Sequence, residues 1–361
     1  MGKRIINFNP GPCALPLEVL EKAAAEMTDY AGTGMSVMEI SHRSKEFQAI
    51  VDGAVGLIKE LLSIPDNYKV MFVGGGASTQ FYVVPMNFLR GGTADYINTG
   101  SWSKKAIKEA KLFGTVNVAA TSEESNFKFI PKQADLKLTP DAKYVHYTSN
   151  NTIFGTEFHY IPAVKAPLVC DMSSDIMSYP FDVSKFALIY AGAQKNLGPA
   201  GVTVVIARDD FIEAGDDKIP TMCQYRTHAK ENSLYNTPPA YNIYILKLFM
   251  EWVKAQGGIK EMEARTKAKA DLIYGAIDEM SDFYKGHAEK DSRSYMNVTF
   301  NLTGGEDKEK LFVDEAKKAG FGGAKGHRSV GGIRVSMYNA ISPDDIAQFV
   351  AFMKDFYAKN K

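Results

Sequence analysis

A single lysine, Lys195, stands in the stretch Leu188-Ile189-Tyr190-Ala191-Gly192-Ala193-Gln194-Lys195-Asn196-Leu197-Gly198-Pro199-Ala200-Gly201. Leu188 to Ala191 reads as a buried strand and Val202 to Ala207 as a second one. Gly198, Pro199 and Gly201 force a tight turn between them. Burial disfavours the ammonium form, so an amine held there is nucleophilic toward a carbonyl near neutral pH. The plainer alternative is a solvated lysine in a hairpin. Asp171 closes another apolar run, Ala166-Pro167-Leu168-Val169-Cys170, and lies 24 residues before Lys195. That separation suits one crossover between neighbouring strands. A lysine for a Schiff base and a carboxylate that keeps a ring nitrogen protonated are the pair pyridoxal phosphate asks for. Asp171 also suits a helix N-cap, and the two roles are compatible.

Further groups with anion chemistry lie near glycine-rich bends. His42-Arg43 follows a glycine-rich loop over 31–35, and His327-Arg328 is flanked by Gly322-Gly323-Ala324-Lys325-Gly326 and Gly331-Gly332. Arg334 stands just beyond. Arginine grips carboxylate or phosphate through a planar fork, and histidine adds a donor whose charge follows pH. Each of these is equally an ordinary surface residue when taken alone. Gly74-Gly75-Gly76-Ala77-Ser78-Thr79-Gln80 joins a strand, Val70 to Val73, to a helix expected over Phe81 to Leu89. Such a turn offers free backbone N–H groups to an anion, or serves close packing. It has neither G-K-[ST] nor G-x-G-x-x-G, which excludes a P-loop and a dinucleotide fingerprint.

The elements that must position these residues alternate. Strands are expected at Val70–Val73, Ala94–Ile97, Val116–Ala119, Tyr144–Tyr147, Leu168–Cys170, Leu188–Ala191 and Val202–Ala207. Helices are expected over Leu17–Thr28, Lys45–Leu62 and Ser103–Leu112, with Trp102 in the loop before the last of them. This is the rhythm of an α/β fold, a mainly parallel seven-stranded sheet covered by helices. Helices Tyr241–Ala255 and Lys260–Met280 follow, separated by Gly257-Gly258, where a domain boundary is placed. Strand Arg293–Asn301, helix Asp307–Ala319, strand Ile333–Ser336 and helix Pro343–Tyr357 make a smaller α+β domain. The expected division is therefore 1–16, an N-terminal segment at the site; 17–257, a large cofactor-binding domain; and 258–361, a small C-terminal domain.

Bulk properties narrow the function classes. The chain has 361 residues, 45% apolar and 23% charged, with 42 basic against 42 acidic side chains. A net charge of zero argues against a nucleic-acid partner, though not against a local cationic pocket. The three cysteines, Cys13, Cys170 and Cys223, are too widely spaced for a disulfide framework or a zinc site, and no metal is expected. No apolar run approaches the roughly 18 residues of a membrane span, and the N-terminus lacks the apolar core of a signal peptide. A cytoplasmic protein without membrane partners is expected.

Several stretches together resemble the phosphoserine aminotransferase family, fold-type I enzymes of class V. They are Asn7-Phe8-Asn9-Pro10-Gly11-Pro12, Ser36-Val37-Met38-Glu39-Ile40-Ser41-His42-Arg43, Tyr190 to Gly201, Tyr235-Asn236-Thr237-Pro238-Pro239 and Lys325 to Arg334. The resemblance implies pyridoxal 5'-phosphate and reversible transamination between O-phospho-L-serine and 2-oxoglutarate, giving 3-phosphooxypyruvate and glutamate. Phosphohydroxythreonine is a further candidate substrate. It implies that Lys195 carries the cofactor and shuttles the α-proton, Asp171 holds the ring nitrogen, and Trp102 lies on the ring face. Ala77, Ser78, Thr152 and Gln194 are implied as cofactor contacts. Asn236 and Thr237 are implied to reach the partner's cofactor phosphate across a homodimer interface. Arg334 is implied at the α-carboxylate, with His42, Arg43, His327 and Arg328 around the distal anion. Some members carry arginine where this chain has Ser78, which leaves the phosphate to the other cations. The alternatives are another enzyme of the same fold, such as a serine–glyoxylate aminotransferase or a cysteine desulfurase, and a non-catalytic cofactor-binding protein.

Overall fold

Short apolar runs separated by helices place both faces of a strand in the interior, and that pattern builds the centre of this protein. The computed structural model describes residues 4–361. Strand β1 (Ile6–Asn7) precedes helices α1 (Leu17–Ala25) and α2 (Lys45–Leu62). Then come β2 (Tyr68–Val73), α3 (Gly76–Phe88), β3 (Thr93–Asn98), α4 (Ser101–Ala110) and β4 (Thr115–Thr121). β5 (Val145–Thr148) leads through the small pair β6 (Asn150–Asn151) and β7 (Thr156–Glu157) to β8 (Leu168–Asp171). β9 (Leu188–Gly192) and β10 (Thr203–Arg208) complete the large sheet.

Among the described residues that sheet has seven strands, in the order β2-β10-β9-β8-β5-β3-β4. β10 runs antiparallel to both of its neighbours, and the other pairings are parallel. Alternation along a strand divides the core into two layers. Val70, Phe72, Ile189, Ala191, Val204 and Ile206 face the layer that holds α2. Met71, Val73, Leu188, Tyr190, Val205 and Ala207 face the layer that holds α3 and α4. α2 buries Phe47, Ile50, Val51, Ala54 and Ile58, a spacing of three and four, and its first turn is capped by Ser44.

Short helices α5 (Asp209–Glu213) and α6 (Tyr225–Lys230) precede α7 (Ala240–Ala255), which packs beside α2. α8 (Gly258–Glu279) begins in the large core with Ile259 and Met262 and ends in a second core with Ala270, Ile273 and Ile277. That second core lies over a three-stranded antiparallel sheet of β11 (Tyr284–Gly286), β12 (Asn297–Leu302) and β14 (Ile333–Ser336). Between and after these strands come α9 (Gly305–Lys318), β13 (Phe321–Gly322) and α10 (Pro343–Asn360). Phe312 meets Phe349, Phe352 and Phe356 edge-on, the geometry aromatic rings favour. The N-terminal segment crosses to this side, since β1 pairs in parallel with β13 and Phe8 is buried in the second core.

Several boundaries differ from the sequence expectation, and three of the differences have a visible reason or bear on the site. α3 starts at Gly76, five residues before the expected Phe81, because its apolar spacing becomes visible only after the glycines. Trp102 lies in the first turn of α4 rather than in the preceding loop. β12 starts at Asn297 instead of Arg293, because Ser294 Oγ accepts the N–H groups of Met296 and Asn297 in a local turn.

Candidate active site

In an open α/β sheet, ligands bind beyond the carboxyl ends of the parallel strands. Here those ends carry the chemistry. Gly74 to Ser78 follow β2, Trp102 follows β3, Thr152 follows β5 and β6, Asp171 ends β8, and Gln194 and Lys195 follow β9. Adjacent strands set the spacing, with Asp171 opposite Tyr190 in register.

The glycine turn after β2 is built for close approach. Gly75 has φ +85°, and a Cβ there would lie 1.8 Å from Thr79 Oγ1, so only glycine fits. α3 starts directly after it with no side chain capping its N-terminus. The N–H groups of its first turn, which holds Ala77 and Ser78, are therefore free for an anion.

The Asp171 carboxylate is 5% exposed and is held by Ser173, whose N–H and hydroxyl donate to Oδ1 at 3.0 and 2.6 Å. Ser173 Oγ also accepts the Gly192 N–H at 3.0 Å, which ties β8 to the strand before Lys195. Burial lowers the pKa of Lys195 below the usual lysine range, and Arg334 adds to this while Asp171 opposes it. Burial likewise raises the pKa of Asp171, against the attraction of Lys195. On both groups desolvation outweighs the pairing. Lys195 Nζ lies 5.3 Å from the centre of the Trp102 ring. The Trp102 indole N–H donates to Thr152 Oγ1 at 3.1 Å, and Arg334 Nη1 donates to Thr152 O at 3.2 Å. Arg334 is only 7% exposed, and its Nε, also buried, has no partner. An unpartnered guanidinium N–H can pair with a carboxylate.

His327 and Arg328 lie in the bend before β14, close enough that Arg334, Arg328 and Lys105 all lower the His327 pKa after burial has done so first. Val330 of the same bend and Trp102 both pack against the cluster of Phe127, Ile153 and Phe154, which places the bend in the neighbourhood of the tryptophan. His42, Arg43, Asn236 and Thr237 form a separate group. Thr237 Oγ1 and His42 Nδ1 are 3.3 Å apart, and Asn236 Nδ2 donates only to Thr237 O at 3.0 Å. Among the described residues no hydrogen bond joins this group to Lys195. Asn236 instead shares a cavity of about 340 Å³ with Gly74 and Gly75.

Two supports escaped the sequence reading. Cys13 of the N-terminal segment donates its thiol to Lys195 O at 2.6 Å, and burial pushes that thiol up to about 12. Asn196, next to the lysine, donates to Ile176 O at 2.6 Å and accepts the Asn339 N–H at 2.9 Å from beyond β14. A polar residue beside a candidate nucleophile was the available signal for Asn196; nothing in the spacing points to Cys13.

The donor set fits a flat, anionic, aldehyde-bearing cofactor. It offers a depressed amine, a buried carboxylate, an indole face and an uncapped helix N-terminus. Residues 5–349 match the family described as aminotransferase class-V. The chain is 57% identical to the phosphoserine aminotransferase of Desulfosudis oleivorans, covering 100% of both chains. It is 52% identical to that of Bacillus subtilis, covering 99% of this chain and 100% of the relative. Phosphoserine aminotransferase from Bacillus circulans subsp. alkalophilus matches with a TM-score of 0.97 at 50% identity, over 100% of each chain. The enzyme of that name from Trichomonas vaginalis, solved with pyridoxal phosphate bound, matches with a TM-score of 0.93 at 40% identity, over 97% of this chain and 100% of that one.

Proposed function

The chain belongs to the class-V aminotransferase family, and on that premise we propose that it moves an amino group reversibly between O-phospho-L-serine and 2-oxoglutarate, a step of serine biosynthesis. Its cofactor is pyridoxal 5'-phosphate and its substrates are small molecules. When bound, the cofactor would supply an aldehyde that captures an amine and a protonated ring that accepts the electron pair left behind when the α-proton departs.

The chain's own residues supply the rest. Lys195 Nζ holds the cofactor and then takes and returns the α-proton, a task suited to an amine whose pKa burial has lowered. Asp171 keeps the ring nitrogen protonated, and Trp102, fixed by Thr152, covers the ring face and excludes water. The N–H groups around Ala77 and Ser78, together with Gln194, take the cofactor phosphate end and its turn. Arg334 receives the α-carboxylate and His327 and Arg328 stand at the distal phosphate or the γ-carboxylate of glutamate, a grip that His42 and Arg43, held apart from them within one chain beside Thr237, complete only across a dimer. The observation that carries the reading is the convergence of Lys195, Trp102, Thr152 and the half-satisfied Arg334 on one edge of the sheet.

A homodimer belongs to the same reading, with Asn236 and Thr237 reaching the partner's cofactor phosphate. Exposed Met35, Met38, Met222 and Tyr235 around these loops support a second copy there. Residues 17–257 then act as the cofactor unit, 258–361 as the smaller unit and the N-terminal segment 1–16, whose first three residues lie outside the described ones, as a strap held to Lys195 through Cys13. Three free thiols support action in the cytoplasm. A desulfurase would need a reactive cysteine, but Cys170 is buried and burial raises the thiols of Cys13 and Cys223.

The test is a donor panel of phosphoserine, phosphohydroxythreonine, serine and alanine with 2-oxoglutarate, and serine with glyoxylate. Phosphoserine is expected to give the highest kcat/KM. Faster turnover of serine with glyoxylate would overturn the assignment.

A further inference from the structure

The bend that carries His327 and Arg328 closes on itself. The Gly326 N–H donates to Gly332 O at 2.8 Å, and the N–H groups of Val330 and Gly331 donate to His327 O at 2.9 and 2.8 Å. It does not pack tightly on the neighbouring helix. A cavity of about 470 Å³ lies between them, with Lys325, His327 and Arg328 from the bend and Glu306 and Asp307 from α9 in its wall.

One carboxylate makes the connection. Glu309, on α9, accepts the Gly332 N–H at 3.0 Å through Oε2. Through Oε1 it accepts Asn301 Nδ2–H at 2.9 Å and the Leu302 N–H at 3.2 Å, both from β12. Gly332 has φ +66°, and a Cβ there would lie 2.5 Å from Phe300 O, so the bend is pressed against β12 at this point. Two residues later Arg334 enters β14, opposite Thr299. The carboxylate thus joins a helix, a strand and the base of the bend, and an ionised acceptor holds N–H donors more firmly than a neutral one.

We propose that Glu309 is a positioning residue that fixes where His327 and Arg328 stand relative to Arg334, and so governs selection of a phosphorylated over an unphosphorylated substrate. This rests on the reading of the bend as part of the distal-phosphate grip. Glu309 itself touches no substrate; it acts through the Gly332 backbone. Loss of its charge-assisted bonds leaves Arg334 anchored by β14 but frees the bend.

Wild type, Glu309→Ala and Glu309→Gln holoenzymes are assayed with phosphoserine and with serine. KM for phosphoserine is expected to rise about tenfold in the Ala variant and less in the Gln variant, which keeps one acceptor oxygen. kcat, the visible absorption of the resting cofactor and KM for serine are expected to stay within about twofold, since among the described residues Glu309 bonds only Asn301, Leu302 and Gly332 and none of the groups beside Lys195. Unchanged KM for phosphoserine, or equal losses on both donors, overturns the proposal. If Glu309→Ala does not fold, Glu309→Gln decides by the same criterion. Wild type lacking any preference for phosphoserine overturns the phosphate grip itself, a separate failure seen before any variant is made.

Discussion

The two halves of the site differ in how far one chain completes them. Around Lys195 most side chains are partnered, the Nε of Arg334 apart: Asp171 by Ser173, Trp102 by Thr152, Asn196 by Ile176 and Asn339. In the two anion-binding groups the opposite holds, and even the buried His42 Nε2 has no partner among the described residues. Arg43 and Arg328 are exposed, and Asn236 bonds only its neighbour's carbonyl. A buried polar group without partners costs roughly 1–3 kcal/mol, so the cofactor side has to be finished by the fold. An arginine in water loses nothing by waiting for its anion. Preorganisation is therefore built where charge is buried, and the open half is left to substrate and, under the dimer proposal, to a second copy.

The strongest way to break the finished half is Lys195→Ala. Turnover is expected to fall by more than about a hundredfold, the lower range for a positioned general base. Stopped-flow observation of the half-reaction with phosphoserine checks it, and a variant that completes that step at the wild-type rate refutes the role. The open half should respond differently. Arg43→Ala or Arg328→Ala is expected to lower kcat/KM for phosphoserine roughly ten- to a hundredfold, the equivalent of one charge-assisted bond, and to spare serine. Equal losses on both donors would erase the contrast between the halves.

Acid sharpens the comparison on the buried side. His146, on β5, bonds Tyr190 OH at 2.9 Å through Nε2, and burial pushes its pKa down to about 3. The unfolded chain takes up that proton below about pH 6.5 and the folded chain does not. Stability is thus present above that pH and is lost as pH falls toward 3. The loss from this group between pH 7 and 5 is about 2 kcal/mol. Asp175 has the opposite sign, since burial raises it to about 6 and the folded chain is protonated first. Comparing wild type with His146→Gln isolates the histidine. The variant should lose less stability in urea unfolding between those pH values, and parallel curves would contradict the assignment.

Much of this was legible in the sequence because it is periodic. Lys45–Leu62 and Ile333–Ser336 fall where the apolar spacing puts them. The seven apolar runs all enter the large sheet, six of them buried on both faces and the seventh, in the edge strand β4, partly exposed. What periodicity cannot carry was displaced. The first turn of α3 is made of glycine and small polar residues, so its start was hidden, and with it the fact that Ala77 and Ser78 are helical. The strap through Cys13 and the Glu309 contact join residues far apart in the chain, and no local pattern encodes them.

The smallest expected effect concerns Asn236 and Thr237. Among the described residues of one chain their side chains bond only each other and His42, and Asn236 lies beside Gly74 and Gly75 on the wall of a shared cavity. If a second copy presents them to the cofactor phosphate, each hydrogen bond to that anion is worth about 1.5 kcal/mol at the low end of the charge-assisted range, or roughly tenfold in cofactor affinity. Thr237→Ala is therefore expected to release cofactor roughly tenfold more readily on dialysis, with kcat of the loaded enzyme little changed. The loss should grow on dilution, because separating subunits removes the contact altogether. A cofactor affinity independent of protein concentration, in wild type and variant alike, would assign these two residues to their own chain and make the open half a property of the monomer.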